Sequence, residues 1–118
     1  MSTFGITPID AKIDWDALTR YAIEVKDRSH VPGGAARTGA AGLVDDGRVV
    51  LGCFVEHPNP ELSLCAESGV ISALHGTGGG KLVALVVVND VGEPIAPCDA
   101  CAKRLAEHGR PPLGPSEK

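Results

Sequence analysis

Three of the four cysteines stand in patterns that can do chemistry: Cys65-Ala66-Glu67 and, 33 residues after Cys65, Pro97-Cys98-Asp99-Ala100-Cys101. A two-residue spacer lets Cys98 and Cys101 turn both sulfurs toward one point, and at a helix start they lie one turn apart on one face. Cys65 also falls at a predicted helix start. The positive end of a helix favours thiolate over thiol, so two such ends bringing three thiolates together would bind one zinc ion. Structural zinc sites are closed by four protein ligands, whereas catalytic sites keep a position for water. Three cysteines leave that position open. Glu67, two residues past Cys65, is placed to take a proton from the water and deliver it to a substrate. The competing readings are a structural zinc, plain buried thiols and an ordinary helix glutamate. Cys53, beside Phe54 on a predicted strand, reads as a core thiol rather than a fourth ligand.

These residues need elements to hold them. Asp14 can cap a helix over 15–28 that carries Trp15, Leu18, Ala22 and Val25 on one face. Strands are expected over 40–44 and 49–55, joined through Asp45-Asp46-Gly47-Arg48, a hairpin signal. Two prolines make 56–61 a loop without regular structure. A second helix is expected over 63–75, closed by Gly76-Thr77-Gly78-Gly79-Gly80. That glycine run precedes a strand and lacks the Ser/Thr after Lys81, so it is a connector rather than a phosphate loop. Leu82–Val88 is seven apolar residues long, the pattern of a strand buried on both faces. A third helix starts around Cys98, with Lys103 and Arg104 suited to its C-terminal end. The order is α-β-β-α-β-α, an antiparallel hairpin joined to a parallel strand. The expected divisions are an arm over 1–13, a zinc domain over 14–109 and a flexible tail over 110–118.

Composition narrows the partners. The 118 residues carry a net charge of -4 without a Lys/Arg run, and the aromatics are Phe4, Trp15, Tyr21 and Phe54. Phosphate-bound proteins show basic stripes and stacking platforms, so a small molecule is expected and polymeric nucleic acid is not. No stretch reads as a membrane span. The residues from Met1 to Lys12 lack the apolar core of a secretion signal, which makes the cytoplasm the expected compartment. His30, His75 and His108 are expected at the surface without partners, and His57 in a surface loop.

The pairing of Cys65-Ala66-Glu67 with Pro97-Cys98-Asp99-Ala100-Cys101 resembles the zinc cytidine deaminases of the small homotetrameric class. The resemblance extends over residues 14–109, through the hairpin segment from Ala40 to Cys53 and the stretch from Ala73 to Lys81. It implies an α/β fold, an α-β-α layered sandwich with a mixed sheet whose first hairpin is antiparallel. It also implies one zinc per chain, held by Cys65, Cys98 and Cys101, and a homotetramer acting in pyrimidine salvage. The substrate implied is a pyrimidine nucleoside or analogue. Glu67 would move protons from water to the ring N3 and then to the departing amine. The backbone N–H of Ala66 would hold the ring carbonyl, and Glu56 would accept a ribose hydroxyl.

The chain departs from that family at the sugar side. Phe54 and His57 stand where the family has asparagines, and losing a polar partner for a hydroxyl costs about 1–3 kcal/mol if nothing replaces it. Residues 33–38, Gly-Gly-Ala-Ala-Arg-Thr, lack the family's aromatic residue that packs on the base. Phe54 is the candidate to supply ring packing instead, and His57 is shared with blasticidin S deaminases. Residues 110–118 are too short and too Pro-rich for the family's later strands, which would leave Leu82–Val88 on a sheet edge to be covered by a neighbouring subunit. The alternative functions are a catalytically drifted zinc-stabilised binding relative and a redox C-x-x-C protein. The redox reading lacks a thioredoxin-like pattern around the cysteines.

Overall fold

Entry into α1 (Trp15–Lys26) is capped by Asp14, whose Oδ1 accepts the Ala17 amide at 3.0 Å. The helix buries Leu18, Ala22 and Val25, as its spacing predicts, and ends two residues short of the expected Arg28. The computed structural model describes residues 13–108 and 112–114; all of the expected N-terminal arm but Ile13 lies outside them. Strands β1 (Gly39–Val44) and β2 (Val49–Cys53) form the hairpin. Gly47 turns it with φ of 99°, a conformation that other residues adopt with strain.

Beyond β2 the chain makes a single 3-10 turn at Pro60–Leu62, where no regular structure was expected. Pro60 opens it because a fixed φ and a missing N–H cost nothing at a first helical position. Helix α2 (Ala66–Gly76) begins three residues later than expected, since Leu64 is held extended by two backbone hydrogen bonds to Val55. Then come β3 (Leu82–Val88), over the range its composition predicts, β4 (Pro94–Ile95), α3 (Asp99–Ala106) and β5 (Leu113–Gly114).

The sheet order corrects three expectations. β3 pairs with β1, and antiparallel, with Ala41 opposite Val86. It therefore runs in the same direction as β2 without touching it, because β1 lies between the two. Nor is β3 an edge strand: β4 pairs with Val87 and Val88, and β5 pairs in parallel with Leu85 and Val86. The strands expected to be missing after the third helix are thus represented by a two-residue β5, which replaces a flexible tail at Leu113 and Gly114. Side chains alternate across β3 from Ala84 onward, and a register shift opposite Leu43 and Val44 turns Leu82 to the other face. Ala84, Val86 and Val88 join Leu18 and Ala22 of α1, while Leu82, Leu85 and Val87 join Val70 and Leu74 of α2 and Leu105 of α3. The result is the expected three-layer α-β-α sandwich with a mixed sheet.

Candidate active site

Two glycines set α2 on the sheet. A Cβ on Gly52 of β2 would strike the Ala66 carbonyl and the Val70 amide, and one on Gly69 would lie 2.9 Å from the Gly52 Cα. This close approach brings the N-terminus of α2 to the carboxyl end of β2, the end of a sheet where α/β folds place ligands. Ala66, Val70 and Leu74 are fully buried along one stripe of the helix, and Glu67 beside them is only 6% exposed. Helix α3 lies parallel to α2 and in register with it. Cys65 faces Cys98, Ser68 faces Cys101 and His75 faces His108, each pair 33 residues apart.

Cys65 and Cys98 occupy the N-cap positions of their helices with extended backbones, and neither side chain makes a capping hydrogen bond. Their sulfurs stand 4.0 Å apart, and with Cys101 all three lie within 4.8 Å of one another. At a Zn–S bond of about 2.3 Å, tetrahedral geometry separates sulfurs by about 3.8 Å, so the three fit one zinc ion after small adjustments. Among the described residues no fourth His, Cys, Asp or Glu joins this group. Cys101 is fully buried, Cys65 half-buried and Cys98 exposed.

Charge also calls for a cation here. Burial, and then the nearby Glu67 carboxylate, push the Cys101 thiol up to about 12. Burial raises Cys65 as well, with Cys98 and Glu67 adding to the effect. Cys98 is drawn the other way, chiefly by a hydrogen bond from the Cys101 backbone. The Glu67 charge acts on all three thiols, so its carboxylate stands beside them while remaining outside the sulfur cluster. Sequence reasoning missed two contacts to Cys101: Arg104 Nη1 donates to its Sγ at 3.5 Å, and Ser68 Oγ lies 3.9 Å from it.

A family model described as the cytidine and deoxycytidylate deaminase zinc-binding region matches residues 13–112. A cytidine deaminase of Mycobacterium tuberculosis is 47% identical over 97 residues, covering 82% of this chain and 73% of its own length. The chain belongs to the cytidine and deoxycytidylate deaminase family. Its zinc chemistry is therefore that family's, one ion per chain at the three-sulfur cluster. Solved structures agree with this membership. The crystal structure of the cytidine deaminase from M. tuberculosis superposes with a TM-score of 0.82 at 46% identity, covering 86% of this chain and 83% of that one. That from M. leprae superposes equally well, at 0.82 and 42% identity, covering 86% of each chain.

The other residues of interest in this deaminase lie on the extension of β2. Val55 bridges His30 on one side and Leu64 on the other, leaving Phe54 and Glu56 flanking it, both half-buried. Glu56 Oε1 accepts the Gly33 amide at 2.8 Å, and a side chain on Gly33 would collide with that carboxylate. The glycine run at 33–34 thus lets a loop close on Glu56. His57 is exposed and serves its own loop, its Nδ1 accepting the Asn59 amide at 2.9 Å. Cys53 is half-buried rather than buried in the core. It lines a largely apolar groove of about 500 Å³ with Val55, Leu64, Cys65 and Ser68. The glycine connector after α2 carries positive φ at Gly78, Gly79 and Gly80, and Arg48 ties it to the hairpin through Thr77 Oγ1 and the Gly79 carbonyl. His75 and His108, expected to be unpartnered, face each other.

Proposed function

We propose that this chain hydrolyses the exocyclic amino group of a cytidine-like nucleoside or cytosine-containing analogue to a ring carbonyl, releasing ammonia. Cys65, Cys98 and Cys101 hold the zinc, and Glu67 moves the protons. One observation carries the reading: three sulfurs gather at two helix N-termini, with a buried carboxylate beside them that is not part of the cluster. When bound, zinc supplies the Lewis acidity that brings water toward deprotonation near neutral pH. Glu67 accepts that proton, passes it to the ring nitrogen and then helps the amine to leave as ammonia. Ala66, first residue of α2, offers a backbone N–H without an intrahelical acceptor, and this holds the ring carbonyl. Glu56 and Phe54 face the rest of the substrate, Glu56 as acceptor and Phe54 as an apolar wall in a site whose 33–38 loop has no aromatic residue. The enzyme works in the cytoplasm in pyrimidine salvage as a homotetramer.

The test combines metal analysis with ammonia release from cytidine, deoxycytidine, cytosine and blasticidin S. One zinc per chain and turnover of at least one of these is the expected result. Glu67→Gln should keep its zinc and lose about 10²–10⁴-fold in kcat. A Gln variant that still turns over at the parent rate would remove Glu67 from the mechanism.

A further inference from the structure

The parallel pairing of α2 and α3 gives the protein a second meeting of ligand-type side chains, at the end of the helices far from the cysteines. His75 lies in the last turn of α2 and His108 just past the end of α3. His75 Nε2 and His108 Nδ1 stand 3.1 Å apart, with ring centroids 4.9 Å apart and the rings inclined at 66°. That separation suits a shared proton, and it also suits a shared metal. With metal–nitrogen bonds of about 2.05 Å, two nitrogens 3.1 Å apart subtend about 100° at the ion, between tetrahedral and square-planar angles. Two further features favour a cation. Both rings sit at the C-terminal ends of their helices, where the dipoles are negative. His75 is exposed and His108 half-buried, so water can complete the coordination.

We propose that His75 and His108 form a second cation site, for a borderline divalent ion such as Zn²⁺, Ni²⁺ or Cu²⁺, distinct from the three-sulfur cluster. The two facing nitrogens become ligands. The proton between them moves through solvent to the far nitrogen of its own ring, so uptake needs no net proton release from the pair. Ni²⁺ is the probe, because it is distinguishable from resident zinc. Tag-free, zinc-loaded protein titrated with NiCl₂ should take up one further equivalent while keeping its zinc. His108→Ala and His75→Asn should each weaken nickel binding by about tenfold or more and leave zinc content and turnover unchanged. Cu²⁺ in the same position should give an electron spin resonance spectrum with two nitrogen ligands, lost in either variant. Absence of a second equivalent in the parent would leave only an imidazole–imidazole hydrogen bond and overturn the proposal. Nickel binding of equal strength in both variants would overturn it as well.

Discussion

Cys101 is the sulfur that Arg104 touches. Three thiolates exceed the charge of one zinc ion, and Glu67 adds another negative charge; Arg104, on the next turn of α3, is the cation in contact. Removing an outer partner of a metal ligand costs about 10–100-fold in metal affinity, so Arg104→Met should lose zinc to a competing chelator about tenfold faster than the parent. Equal rates would show that the contact is incidental. The raised thiols give a second prediction. With Cys101 held near 12 and Cys65 above its ordinary value, little thiolate pre-exists at neutral pH, and zinc must displace protons. Calorimetry in buffers of different ionisation enthalpy should report about two to three protons released, one each from Cys65 and Cys101 and up to one from Cys98, and affinity should fall as pH is lowered. In the metal-free chain the sign for stability is the other way. The folded Cys101 binds its proton more tightly than the unfolded one, so its contribution is intact below about pH 9 and fades as pH rises toward 12. The cysteines and Glu67 were legible because spacing alone announces them. Arg104 was legible in principle, three residues after Cys101, but was read only as a charge suited to a helix end.

At the scale of elements, Gly52 does for α2 what no side chain could. Ala at that position meets backbone atoms of Ala66 and Val70, which cannot move aside as a flexible side chain can. Gly52→Ala should therefore cost about 1–3 kcal/mol and displace Cys65 and Glu67, which shows as lowered melting temperature together with lowered zinc content. Gly76→Ala is the control: its Cβ would enter open space at the end of the same helix, so stability should hold or rise by about 0.5 kcal/mol. A loss there equal to that at Gly52 would mean that α2 is generally intolerant and that the close approach is not the cause. β3 was readable to the residue because a run of β-branched side chains flanked by glycine and turn residues has one solution. The hairpin was readable for similar local reasons. The register of α2 on α3 was not read, yet the sequence holds it: an offset of 33 pairs Cys65 with Cys98, Ser68 with Cys101 and His75 with His108.

Over the whole molecule, what escaped the sequence is the order of strands. Local pattern says that β2, α2 and β3 form a crossover with parallel ends, and this holds. It does not say that β1 occupies the place between them, since that depends on contacts made after the hairpin meets β3. β5 escaped for a different reason: Leu113 and Gly114 have no strand pattern of their own, and what makes them a strand is the open edge of β3. Gly114 also rests against the ring of Trp15, where any side chain would collide. Trp15 is the only tryptophan, so its fluorescence is a built-in lamp for whether the last strand is seated. Gly114→Val should shift the emission to longer wavelength while the far-ultraviolet helix signal persists; an unchanged spectrum would mean that the indole does not sense β5. The same colour change, followed in time after dilution from denaturant, would date the closing of the sheet separately from the winding of the helices.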